Sequence, residues 1–149
     1  GFTGIHDIAD RNGATINWKP ILVGGIFNAV NQSVYEQRAN PVPVKARYFQ
    51  KDLADWADYY GIKIGSTPVF PVNAVKCMRG ALVALDEGCL VPYVRAVFEA
   101  YWGDLKDISQ DEVLAAICRE VGLDSADFLA RISQDTIKAR LRAARKSVG

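Results

Sequence analysis

Hydrophobic residues recur at three- and four-residue steps along most of the chain, the period of an amphipathic helix. Over residues 45–60 they are Tyr48, Phe49, Leu53, Trp56, Ala57 and Tyr60, and Gly61 supplies a stop. Over residues 74–87 they are Val75, Met78, Ala81, Leu82 and Leu85, with Gly88 behind them. The pattern predicts another helix over 91–102, with Pro92 tolerated in its first turn and Val97, Phe98, Tyr101 and Trp102 at its end. Ser109 and Glu112 stand at the spacing of a capping box, which starts a helix running to Val121 and stopping at Gly122. Asp124 or Ser125 caps a short helix to about residue 132, and Ser133 or Asp135 starts the last one, to residue 147. Near the beginning, residues 5–11 read as a helix end stopped by Asn12 and Gly13.

Residues 15–45 break this pattern. Residues 15–18 are β-branched and aromatic around one asparagine, which predicts a short strand. Pro20 holds Lys19 extended and removes an amide donor. The Gly24–Gly25 pair is either a tight bend or a place where backbone approaches a ligand closely. Residues 28–44 read as a polar loop rich in Asn, Gln and Pro, ending at Lys45, the kind of segment that rims a ligand site. Residues 62–73 read as an irregular connector around Pro68 and Pro71. A lone strand has no ladder partner, so the chain is expected to be mainly helical, with one or two strand fragments at most.

Composition narrows the function classes. Half of the 149 residues are hydrophobic and 23% are charged, enough for a real core and incompatible with wholesale disorder. A formal charge of +1 gives no electrostatic case for nucleic acid. The basic residues near the end, Lys138, Arg140, Arg142, Arg145 and Lys146, suit the solvated face and C-terminal end of a helix. No apolar run reaches the length of a membrane span. Cys77, Cys89 and Cys118 are widely spaced and form no CxxC pair. Each sits among apolar neighbours, as a reduced, at least partly buried thiol would in a cytoplasmic protein. With His6 as the single histidine, neither a metal site nor a histidine-dependent triad is indicated.

Several motifs in one order carry a resemblance: WKPILVGGIF, then Asn31, a Pro-x-x-x-Lys pattern ending at Lys45, Tyr48 with Asp52, Leu53 and Trp56, then Phe70-Pro71-Val72-Asn73. The later AVFEAYWGDLKDISQDEVL and VGLD…IKARL continue it over nearly the whole chain. The sequence resembles the 2-hydroxychromene-2-carboxylate isomerase family, which is related to kappa-class glutathione transferases and DsbA-type disulfide oxidoreductases.

The resemblance implies an α/β thioredoxin-like fold with an inserted all-helical domain. It divides the chain into residues 1–30, the end of the first thioredoxin helix and the second strand; 31–132, the helical insertion; and 133–149, a helix returning to the thioredoxin-like domain. On that template the chain is an interior piece of a longer enzyme, lacking the first strand and the C-terminal strands. The family's catalytic serine would lie ahead of Gly1, and the piece alone is expected to be inactive.

The implied activity is glutathione-dependent isomerisation of 2-hydroxychromene-2-carboxylate in aromatic hydrocarbon breakdown, on a small aromatic carboxylate substrate. Homodimerisation stays open. Asn31 and Lys45 match family positions that contact glutathione, although Val30 stands where the family usually has glycine. Without the resemblance, Asn31 is a loop asparagine and Lys45 an exposed first-turn lysine. Asn73 either lines the substrate's side or caps the next helix. A kappa-like transferase and a DsbA-like oxidoreductase are the neighbouring enzyme readings, and a non-catalytic helical interaction domain is the reading from another class.

Overall fold

The computed structural model describes residues 1–30 and 33–146, which are helical or irregular and contain no strand. In chain order the helices are α1 (Phe2–Arg11), α2 (Val23–Val30), α3 (Ser33–Ala39), α4 (Pro43–Tyr60), α5 (Val75–Asp86), α6 (Leu90–Phe98), α7 (Asp111–Glu120), α8 (Ser125–Ile132) and α9 (Asp135–Lys146). A single π-helical turn, Glu99–Gly103, extends α6.

The core lies among α5 to α9. α5 is its axis, burying Cys77 and every residue from Gly80 to Ala84. One position makes this packing possible. A Cβ placed on Gly80 would stand 2.3 Å from both the Phe128 ring and the Tyr93 hydroxyl. Glycine therefore lets α6 and α8 close directly onto the backbone of α5. The Tyr93 hydroxyl then donates to the Cys77 carbonyl at 3.2 Å, satisfying a polar group that is otherwise fully enclosed. Leu114 and Cys118 of α7 and Ile137 and Leu141 of α9 complete the buried cluster.

The ends of α5 follow from local chemistry. Gly88, at φ +71°, permits the left-handed turn in which Cys89 N–H returns to the Ala84 carbonyl. Asp86 and Glu87 at this C-terminus oppose the helix dipole. They are answered from neighbouring helices: Arg140 of α9 grips Asp86 at 2.6 and 2.9 Å, and Arg131 of α8 meets Glu87 at 2.5 Å. The Arg140 hydrogen bonds hold the Asp86 carboxyl below the usual carboxylate range, with Arg131 adding to the effect.

Several sequence expectations need correction. Residues 15–18 form no strand, because the described residues provide no neighbouring strand to pair with. The expected polar loop over 28–44 is largely replaced by α2 and α3. Val23, Ile26, Phe27 and Val30 have helical spacing, which overrides the weak propensity of the two glycines, and Glu36 to Ala39 are good helix formers. Ser109 does not cap α7. Its N–H and hydroxyl both donate to Asp107, at 3.0 and 2.7 Å, and Gln110 becomes the N-cap. The stripe on α4 is correct in period but not in burial: Ala57 alone is buried, while Tyr48, Phe49 and Trp56 are exposed.

Other expectations hold. Pro92 lies in the first turn of α6, and Gly61 ends α4 at φ +63°. Asp124 caps α8 by accepting the Asp127 N–H at 2.7 Å. The three cysteines are free; Cys77 and Cys118 are buried and Cys89 is half-buried.

Candidate functional site

The three residues selected from the sequence are not brought together. Asn31 lies outside the described residues, so no pocket between it and Lys45 is defined. Lys45 sits in the first turn of α4, exposed and without an ion pair among the described residues. Asn73 is exposed just ahead of α5, and its side-chain oxygen accepts the Val75 N–H at 3.2 Å. That contact is an Asx turn just ahead of α5, whose N-cap is Ala74 with no side-chain cap.

Among the described residues, two of the clefts that open beside the core are well formed, and neither is lined by Lys45 or Asn73. The first, about 420 Å³, is an apolar groove between α1, residues 18–20 and the α5–α6 pair, with Phe2, Ile5, Trp18, Met78, Val94 and Phe98 among its walls. His6 stands next to it, its ring between Phe2 at 6.0 Å and Trp18 at 5.6 Å, with a buried Nε2 that has no hydrogen-bond partner.

The second cleft, about 580 Å³, has a different chemistry. One wall is the exposed face of α6 and its π-helical extension, where Arg95, Phe98, Glu99 and Trp102 recur at helical spacing. The turn is closed by Asp104 N–H on the Glu99 carbonyl, at 2.8 Å, a five-residue step that widens the helix end. Opposite it lie the irregular run from Gly61 to Ile64 and the first residues of the chain, Gly1, Phe2 and Thr3. Two ties fix this run to the turn: Gly65 N–H donates to the Trp102 carbonyl at 2.8 Å, and the Tyr101 hydroxyl donates to the Val69 carbonyl at 2.7 Å. Gly103 lies beside Lys63: a Cβ added there would stand 3.7 Å from the Lys63 Cβ, an ordinary contact.

The electrostatics of this cleft are uneven. Asp104 is paired with Lys106 at 2.8 Å. That hydrogen bond, and after it the charge of Lys63, holds the Asp104 carboxyl below the usual range. Lys63 and Arg95 have no ion pair among the described residues, and Glu99 stands one helical turn from Arg95 without meeting it. Sequence reasoning did not single out Lys63, Arg95 or Phe98 as site residues. The available signal was two charges and two aromatics on one face of an otherwise apolar helix.

Cys77 and Cys118 are poorly placed for thiol chemistry. Burial raises the Cys77 thiol to about 12, and its sulfur donates to the Ile108 carbonyl at 3.2 Å. Burial likewise raises Cys118 to about 11. No group of His, Cys, Asp and Glu suited to a metal ion occurs among the described residues. No helix among them is long and apolar enough to cross a membrane.

With this geometry in view, comparison with known proteins is informative. Residues 1–148 match the DSBA-like thioredoxin domain. The chain belongs to that family. A curated 2-hydroxychromene-2-carboxylate isomerase from Pseudomonas putida is 26% identical over 138 residues, a match covering 91% of this chain and 65% of the relative. A solved structure of 2-hydroxychromene-2-carboxylate isomerase superposes with a TM-score of 0.78 at 22% identity, over 98% of this chain and 70% of that one. The DsbA-like fold is therefore shared, and in the described residues only helices represent it. The chain spans just under two thirds of the curated relative's length.

Proposed function

We propose that this chain is the greater part of a glutathione-dependent isomerase that converts 2-hydroxychromene-2-carboxylate to trans-o-hydroxybenzylidenepyruvate. The observation carrying this reading is that the curated relative and the solved neighbour are isomerases of one kind, each aligned over at least nine tenths of the chain. In this reading residues 31–132 are a helical insertion into a thioredoxin-like domain formed in part by residues 1–30 and 133–149.

Glutathione, when bound, supplies a thiol whose reversible addition turns a carbon–carbon double bond into a single bond that can rotate. The cycle returns the thiol unchanged and consumes no oxidant or reductant. Lys45 fits the role of carboxylate holder, since its ammonium is exposed and has no ion pair among the described residues. Asn31 would bind the cofactor's peptide portion. Asn73 would face the aromatic substrate while its oxygen remains on α5.

The test is a spectrophotometric assay of the protein carrying this chain, with the hydroxychromene carboxylate as substrate and glutathione present or absent. Turnover that requires glutathione is expected. Conversion no faster than the buffer rate in a folded sample overturns the assignment.

A further inference from the structure

We propose that the exposed face of α4 is a self-association surface, on which α4 of a second copy of this chain lies antiparallel, centred on Leu53. The inference is independent of the isomerase reading.

The order of charge along the helix is the first argument. The N-terminal half of α4 carries Lys45, Arg47 and Lys51, and the C-terminal half carries Asp52, Asp55 and Asp58. A helix favours the reverse, with acids near its positive N-terminus and bases near its negative C-terminus. Lys51 does pair with Asp55 inside the helix, but in the less favourable order and with both side chains largely exposed. Arg47 and Asp58 have no ion pair among the described residues. A helix laid antiparallel alongside sets basic half against acidic half at both ends. A second copy supplies such a helix, and a twofold axis makes the match reciprocal.

The second argument is register. Helical spacing divides the exposed face into a flank with Arg47, Lys51 and Asp58, a seam with Tyr48 and Tyr59, and a flank with Phe49 and Trp56. In an antiparallel pair related by a twofold axis, each flank meets the same flank of its copy. With Leu53 at the centre, Lys51 falls opposite Asp55, and Arg47 lies within one residue of Asp58. In the same register Tyr48 lies within one residue of Tyr59, and Phe49 within one residue of Trp56. Charge therefore meets opposite charge and ring meets ring in one arrangement. A like-charge approach remains at Asp52, which comes within two residues of its own copy beside the axis. Lys45 stands one turn from Phe49, and the pairing does not require it.

Area is the third argument. Tyr48, Phe49, Trp56 and Tyr59 are 71%, 65%, 53% and 76% exposed. Since a buried aromatic side chain covers about 150–250 Å², hiding these four removes roughly 500 Å² per copy from water. The pair then reaches about 1,000 Å², the lower limit for a specific interface, which implies a dimer that dissociates in the micromolar range. Trp56 is already braced by Tyr59, edge-on at 5.7 Å, and by Tyr60, stacked at 5.9 Å, so its ring loses little freedom on docking.

Sedimentation velocity of the full protein carrying this chain tests the proposal. A monomer–dimer equilibrium at micromolar concentration is expected. Arg47→Glu and Asp58→Lys should each weaken the dimer about tenfold or more, because the twofold axis makes every like-charge contact occur twice. An equal mixture of the two variants should recover the dimer, since each reversed side chain then meets an opposite charge. Asp52→Asn should tighten association by relieving the approach at the axis, a gain that a misfolded variant could not produce. A protein that stays monomeric throughout the micromolar range overturns the inference. So does a dimer that both charge reversals leave at the parent's dissociation constant, which would form through another surface. A mixture that associates no more tightly than its components, or an Asp52→Asn dimer weaker than the parent's, overturns it as well.

Discussion

Arg140 grips Asp86 with both prongs of its guanidinium, Nη1 to Oδ2 at 2.6 Å and Nη2 to Oδ1 at 2.9 Å, tying the last described helix to the end of the central one. The carboxyl is held below its ordinary range, chiefly by this contact. A depressed carboxylate stabilises the fold above its unfolded pKa, near 4, and that contribution fades as pH falls through the lower folded value. The side chains of Arg140 and Asp86 are 44% and 36% exposed, so solvent screening limits the pair. Arg140→Ala should therefore cost about 1 kcal/mol or less at pH 7. In urea titrations the gap between parent and variant should narrow progressively as pH is lowered below 4.

Gly80→Ala sets two effects against each other. Alanine gains about 1 kcal/mol of helix propensity. Against this, its methyl would stand 2.3 Å from both the Phe128 ring and the Tyr93 hydroxyl, an overpacking that costs about 1–3 kcal/mol or more. Both neighbours are buried and have little room to retreat. The variant should melt below the parent, and a rise in melting temperature would contradict the packing described.

Thiol titration separates the cysteines. In the native protein at pH 8, Cys89 should be the first to react, because it is half-buried, while Cys77 and Cys118 should stay inert until the protein unfolds. Three thiols reacting rapidly in the folded state would contradict this.

Lys45→Ala tests the proposed cofactor contact. Removing one charge-assisted contact is worth about 1.5–3 kcal/mol, a loss of roughly ten- to a hundredfold in glutathione affinity. The exposed side chain packs against no core, so the melting temperature should hold. Lys45→Arg should restore only part of the affinity, since the guanidinium differs in reach and fork geometry. Calorimetric titration gives the answer, and unchanged affinity in the folded variant removes Lys45 from the site.

Much of the helical body was legible from periodicity. α5, α6, α7 and α8 lie close to their predicted spans because their apolar stripes and stops coincide with burial. Errors arose where a local signal had a competitor. Gly24 and Gly25 concealed the helical spacing of α2, and Asp107 took the hydrogen bonds of Ser109 that a capping box would use. The polar cleft was illegible for another reason. Its two walls come from segments about forty residues apart, joined by hydrogen bonds from Tyr101 and to the Trp102 carbonyl. A five-residue turn has no sequence signature, so nothing in the chain announces that Lys63 will lie beside Gly103.

The meeting of Gly80, Tyr93 and Phe128 also bears on how the bundle comes apart. These residues belong to three helices, and each ring rests on the same bare stretch of backbone. If α8 lifts, Phe128 leaves α5, the Tyr93 ring loses its neighbour and the floor beneath both is wetted at once. The cost of opening one helix is thus shared with the other two. Amide hydrogens on α5, α6 and α8 should accordingly exchange at the rate of one cooperative unit, ahead of which the less enclosed α4 can fray on its own.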